Sequence, residues 1–403
     1  MTEFRDGFRL ATLVLLGPGG ELLGQLPPLK LTTPWFQEIG ELVALVDERF
    51  GISPVILRLL ATDTRELPQI RATYLGQVTG SEDLAPALRA WKGELDDHPL
   101  RLPYARPGGP AADLAWAASA LMQAGQGEVI GKTQVRTWNL SSIWRLNTAN
   151  DTFWLKHVPA FFAHEAGMLS ALAAEAVPRL VAGGGTRILM AHLSGDDCYD
   201  ATDEQQHHMI EQLVDLQWRW SSRCDELAAV GTPVIDDHEL VRRIDSVVRR
   251  QGAALAFDHQ ALLRQFVASL PARLAALAEC GIPTTLVHGD YHSGNWRGVD
   301  LDLAILDWGD CFIGHPLLDM GELPAPAHAH WLRCWQDRVP GADVGRAARL
   351  VAPVIHARLA TVFQGFLVNI EPSERVYHDT DPLTCLYELV AALEAEAADG
   401  APF

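Results

Sequence analysis

The strongest constraint on this fold is a change of hydrophobic period along the chain. Up to about residue 200 the apolar residues come in short runs broken by turn residues: "FRLATLVLLG" before "PGGE", then "VILRLLATD", "IRATYLGQV", "VRTWNLSSIWRLN", "DTFWLKHV" and "RILMAHLSGDD". Runs of that length and alternation predict strands. From Asp203 onward the spacing is that of long amphipathic helices, interrupted once by the two short apolar runs of "LVHGDYHSGNW" and "LAILDWGD". Strands first and helices after predict an α+β protein.

Three helices are expected among the early strands. "PWFQEIGELVALVDERFG" carries Ile39, Leu42, Val43 and Val46 at helical spacing, with Gly51 as a C-terminal stop. A second lies near "AADLAWAASALMQAG" and a third contains "FFAHEAGMLSALAAEA". Between the first two, "LPYARPGGP" is rich in proline and glycine, as a linker is. The expected organisation is a small α/β domain over 1–105, a β-rich lobe over 111–195 and a helical lobe over 196–403.

Composition removes several classes of function. The 403 residues suffice for two or three domains, and 48% hydrophobic with 21% charged residues is ordinary for a globular protein. No uninterrupted apolar stretch approaches the roughly 20 residues of a membrane helix, and "MTEFRDGF" has no secretory core. Six cysteines without a C-x-x-C pair disfavour structural zinc and a disulfide framework, which implies a reducing cytoplasm. A formal charge of −19 disfavours nucleic acid as a partner and suits a cationic small molecule.

Chemistry concentrates in the interruption. Asp290 follows an apolar run, Asn295 comes five residues later, and Asp307 follows a second run, so a hairpin between them would bring all three to one site. Phosphoryl transfer needs such a set: a carboxylate for the hydroxyl proton, a carboxylate and an amide oxygen for metal ions, and a lysine for phosphate charge. Magnesium's preference for oxygen ligands fits Asn295 and Asp307. Lys156 stands in the apolar strand "TFWLKHV", where an unpaired ammonium is costly, and Glu165 early in the next helix is placed to hold it. Taken alone, each aspartate reads as a turn residue and Lys156 as an edge-strand lysine reaching solvent. The zinc-like pattern His288 to His292 needs a helical face that Gly289 disfavours.

With these residues in order, "LVHGDYHSGNW…AILDWGDCFIGHPLLDM" resembles the catalytic and metal-binding core of the aminoglycoside phosphotransferase family, kinase-like enzymes that phosphorylate small-molecule hydroxyls. The resemblance runs from Ala111 to the C-terminus. It implies a bilobal protein-kinase-like fold, ATP or GTP with magnesium as cofactors, and a hydroxyl acceptor such as an aminoglycoside, an amino alcohol or a sugar. Asp290 would be the base, Asn295 and Asp307 the magnesium ligands, and Lys156 the α- and β-phosphate contact held by Glu165. The backbone at Ala191 and His192, after Met190, would meet the purine edge. His288 would support the loop and Asp319 would brace it. The phosphate loop "WNLSSIWRL" departs from the kinase pattern in having no glycine, and Ser141 and Ser142 would donate to phosphate instead.

Other residues keep two readings. Asp196 and Asp197 either meet a cationic substrate or cap the next helix. Asp310 is a helper at the metal site or a turn residue. His207 and His208 are expected on an exposed helix face, and Trp144, Trp154, Trp218 and Trp220 in the core. Residues 8–78 are similar to a Nudix-like scaffold, but in "ALVDERFGI" only Glu48 and Gly51 fit the hydrolase box, so this domain is expected to be non-catalytic. The alternatives to a kinase are a catalytically silent nucleotide-binding regulator and a Nudix-type hydrolase.

Overall fold

The computed structural model describes residues 7–64, 69–78, 80, 87–321 and 323–398. The chain divides into two compact units. The first holds Met1–Ala163, Leu180–His192 and Asn369–Tyr377, and the second holds His164–Arg179, Leu193–Val368 and His378–Phe403. The expected boundary near residue 105 therefore falls inside the first unit.

In the first unit β1 (Phe8–Leu16) pairs antiparallel with β2 (Leu22–Gln25) and β3 (Leu29–Leu31). After α1 (Gly40–Phe50), β4 (Val55–Thr64) and β5 (Gln69–Gln77) complete the sheet, β5 lying parallel to β1. Ala11, Leu13 and Leu15 alternate onto one face and meet Leu42 and Val46 of α1. Gly51 ends α1 in the left-handed conformation, φ 68°, as a glycine after a helix should. Two acids of α1 are engaged locally: Glu41 accepts from Thr32, and Asp47 accepts from Ser53, while Glu48 is exposed.

A second sheet follows α2 (Gly109–Gln123). It contains β6 (Gly131–Trp138), β7 (Ser141–Asn147), β8 (Thr152–His157), β9 (Leu180–Gly184) and β10 (Arg187–Ala191), in the order β6-β7-β8-β10-β9, all antiparallel. Ala117 and Leu121 of α2 pack with Trp144, Leu146, Phe153, Leu155 and Leu189. β9, "LVAGG", has too little apolar pattern to be read as a strand from sequence. β6 is an edge strand, and the N-terminal sheet and its loops cover it. Ile39 N–H donates to Val135 O at 3.2 Å, Thr137 N–H to Gln37 O at 3.2 Å, and the Arg136 guanidinium to Glu38. The buried Gln134 amide accepts from Ile56 N–H at 2.8 Å and donates to Ile56 O at 2.7 Å.

The second unit begins with α3 (Glu165–Ala171), shorter than the expected helix because Ala160–Phe162 form a separate 3-10 turn. β11 (Asp196–Asp197), α4 (Asp203–Trp220), α5 (Cys224–Ala229), α6 (Asp237–Gln251) and α7 (Phe257–Ala278) follow. Then come β12 (Thr285–Val287), β13 (Trp296–Val299), β14 (Asp302–Ile305) and β15 (Phe312–Gly314), and α8 (Ala325–Arg338), α9 (Val344–Asn369) and α10 (Asp381–Ala398) close the chain. Thr202 caps α4 in a capping box with Gln205, so Asp196 and Asp197 do not have that role. The helices α7 and α9 have the length and apolar content of membrane spans, although charged and polar residues interrupt both. Both send a face into this unit's core, through Leu263, Phe266 and Leu270 on α7 and Val351, Val354 and Ala357 on α9.

Gln134→Ala would leave a buried N–H and a buried carbonyl of Ile56 without partners, each worth roughly 1–3 kcal/mol. Thermal unfolding should show a clearly lowered midpoint, whereas Gln123→Ala, at the exposed end of α2, should leave it in place.

Candidate active site

The two apolar runs of the interruption are short strands flanked by polar turns: β12 is buried throughout, and β14 buries Leu303 and Ile305. β13 and β14 pair antiparallel from Trp296↔Ile305 to Val299↔Asp302, and Leu306 N–H donates to Asn295 O at 2.7 Å. The hairpin brings Asp307 back beside Asn295, as the spacing predicts. Asn295 in turn reaches Asp290, its Nδ2 donating to the Asp290 carbonyl at 2.8 Å and carboxylate at 3.0 Å.

His288 locks these pieces together. Fully buried, it bonds through Nε2 to Leu306 O at 2.8 Å and through Nδ1 to the Asp290 N–H at 3.3 Å, so both ring nitrogens are engaged. Beneath it, the buried Asp319 accepts the His288 N–H at 2.8 Å, the Gly289 N–H at 2.7 Å and the Gln217 amide at 2.8 Å. Burial raises the Asp319 pKa, opposed by His288, by these two backbone donors and by Arg358. Arg358 of α9 donates to Gly289 O and, at 3.5 Å, to Asp310 O. Burial lowers its pKa, while Asp310, Asp319 and Asp290 raise it. Gly289 has φ 88°, and a Cβ there would lie 2.2 Å from Asp310 O, so only glycine fits.

Asp307 itself is left-handed at φ 59°, ψ 64°, one of two non-glycine residues with positive φ among those described. Such strain is tolerated by aspartate and concentrates at functional sites. Because the Asn295 Nδ2 is spent on Asp290, its Oδ1 is the atom left to face a ligand. That oxygen and the exposed Asp307 carboxylate make an all-oxygen donor pair, which suits magnesium. Asp290 is also exposed, with His292 Nε2 3.7 Å from its carboxylate.

A family profile described as "Phosphotransferase enzyme family" matches residues 134–360, more than half of the chain and the whole of this constellation. The chain belongs to that family. No curated protein matches its sequence. Among solved structures, the GDP complex of a point mutant of aminoglycoside 2'-phosphotransferase-IIIa aligns over 71% of this chain and 99% of its own, at 14% identity and a TM-score of 0.52. The GDP complex of the wild-type enzyme aligns over 69% and 98%, at 14% identity and a TM-score of 0.50. These likenesses show a kinase-like α+β fold for the phosphotransferase.

The remaining expected residues lie as follows. Lys156 is 7% exposed in β8, paired between Ile143 and Ile188, in the first unit. Glu165 is 2% exposed at the start of α3, in the second. Its neighbour His164 stands against the backbone of Gly309 and Cys311, which links the start of α3 to the Asp307 loop. Met190 and Ala191 end β10, but the His192 N–H is spent on Thr152 O at 3.1 Å, so it is not a free donor for a purine. Pairing with β9 stops at Met190, which leaves the Ala191 backbone as the group beyond that ladder. Ser141 and Ser142 are buried, and Ser141 Oγ accepts from the Trp138 indole at 3.1 Å.

Several bland readings need correction. His207 is half-buried against His330 of α8, ring centroids 4.3 Å apart, and His208 is half-buried too. Trp144 and Trp220 are in cores, but Trp218 is exposed and Trp154 donates to His192 Nδ1 at 3.0 Å. Asp196 and Asp197 are both exposed, and Asp197 is held by Arg297 at 2.7 Å. Sequence reasoning missed Gln217 and Arg358. A lone arginine within the apolar stretch "LVAPVIHARLATVF" was the available signal for the second.

Asp319→Ala strands two buried N–H donors of the loop and uncovers Arg358. Denaturant titration should show the phosphotransferase destabilised by about 2 kcal/mol or more, and turnover should fall at least tenfold.

Proposed function

We propose that this phosphotransferase moves the γ-phosphoryl group of ATP or GTP to a hydroxyl of a small cationic acceptor, such as an aminoglycoside or an amino alcohol, in a reducing cytoplasm. The observation that supports the reading is the Asn295 amide, whose Nδ2 donates to both the carbonyl and the carboxylate of Asp290 and so leaves its own oxygen for a cation.

In this reading the acceptor hydroxyl lies against the Asp290 carboxylate. As its oxygen bonds to the γ-phosphorus, its proton passes to Asp290, and the bond from phosphorus to the β-phosphate oxygen breaks to release the nucleoside diphosphate. When bound at Asn295 Oδ1 and Asp307, magnesium supplies neutralisation of phosphate charge. The family resemblance gives Lys156 the α- and β-phosphates, Glu165 the support of that lysine, and the backbone at Ala191 the purine edge. Asp290 needs little force beyond position, because the loop that carries it is already fixed by His288, Asp319 and Arg358. A net charge of −19 and the exposed Asp196 favour a cationic acceptor.

Thermal shift with ATP or GTP, with and without magnesium, tests the nucleotide site. Stabilisation should require magnesium and vanish in Asp307→Ala. Asp290→Ala should keep the shift and lose at least a thousandfold in turnover across an acceptor panel. Wild-type turnover in either variant would exclude the assignment.

A further inference from the structure

The β6–β7 turn is the phosphate loop of the proposed site, and it has no glycine to let its backbone adapt. Its tip is also unusually covered: Asn139 is 3% and Leu140 9% exposed. The cover comes from two places in the first unit, the N-terminal residues and the segment Asn369–Tyr377 that joins α9 to α10. Tyr104 OH donates to Trp138 O at 2.7 Å. The Trp138 ring meets Tyr377 edge-on at 5.5 Å, and Tyr377 meets Phe36 edge-on at 5.7 Å. Arg101 holds Glu371 through both carboxylate oxygens, at 2.8 to 3.2 Å, and Arg58 lies 3.9 Å away.

At the centre is Glu374, 3% exposed. Its Oε1 accepts the Leu59 N–H of β4 at 3.0 Å, and the same carboxyl takes a backbone hydrogen bond from Asn139 at the turn's tip. One side chain thus joins the N-terminal sheet to the loop. Leu57, Tyr104, Trp138, Asn139 and Glu371 close around it, leaving a void of roughly 10 Å³, room for a single water.

We infer that Glu374 is a positioning residue for the nucleotide: by tying Asn139 to β4 it makes the N-terminal domain the splint that holds a glycine-free phosphate loop in its binding shape. The inference rests on the reading of the site given above, and it gives the N-terminal domain a role that needs no hydrolase chemistry. Preorganisation replaces flexibility, since a loop fixed before binding loses less entropy on meeting phosphates. Burial, with Glu371 adding to it, pushes the Glu374 carboxyl up to about 8, against the pull of the Leu59 and Asn139 donors and of Arg58. Near neutral pH it is therefore mostly a neutral acceptor, which glutamine imitates.

The test compares Glu374→Gln with Glu374→Ala in the full chain, with Glu374→Met, which fills the same space without accepting, in case the alanine variant does not fold. Calorimetry with magnesium–ATP and magnesium–GTP should show Kd raised at least fivefold in Ala or Met and within twofold of wild type in Gln. Hydrogen exchange without nucleotide should be faster at 138–142 in Ala or Met and unchanged in Gln. Mere destabilisation lowers the active fraction and not the Kd. Unchanged Kd in Ala and Met overturns the positioning role, whatever the exchange shows. If neither nucleotide binds the wild type, the site reading fails and the positioning role with it, while exchange still reports whether the tether exists.

Discussion

The loop that carries Asp290 depends on a buried electrostatic clamp. Asp319 takes two successive N–H groups from one side of the loop, and Arg358 donates to the carbonyl of Gly289 from the other. Burying either charge alone would cost several kcal/mol. Here each is hydrogen-bonded, and each offsets part of the other's desolvation. The clamp also dictates glycine at 289, because the carbonyl of Asp310 occupies the place of a side chain. Through Asp310 it fixes the spacing between the loop that carries Asp290 and the loop that carries Asp307. His288 makes the same connection a second time, from Asp290 N–H to Leu306 O.

The first unit answers a different problem. Its second sheet has an exposed edge at β6, and an uncovered edge invites pairing with other chains. The N-terminal residues remove that edge with Ile39, Gln37, Glu38 and Ile56, while Glu41 and Asp47 of α1 are turned to local bonds with Thr32 and Ser53. The N-terminal residues thus spend several of their polar groups on structure.

Legibility in the sequence followed the range of each interaction. Strands β1, β4, β5 and β8 were readable because their apolar runs are local, and Gly51 because a helix stop is a property of one residue. β9 was not, since "LVAGG" becomes a strand only when β10 is beside it. Asp290, Asn295 and Asp307 were legible because a short hairpin carries their spacing directly into space. Arg358, nearly 70 residues from the loop it holds, left only the trace of a charge in an apolar helix. His207 was misplaced for the same reason, its neighbour His330 lying on another helix.

By itself the sequence determined the chemical inventory and its local geometry: which carboxylates and amide stand at a turn, which strand holds the lysine, and where helices stop. These are set by backbone preference and by spacings of a few residues. Only the tertiary structure decided which groups remain available. It spent the His192 N–H on Thr152, the Asp197 carboxylate on Arg297 and the Asn295 Nδ2 on Asp290. Availability is a matter of long-range partners competing for the same donors and acceptors, and that competition has no image in a linear pattern.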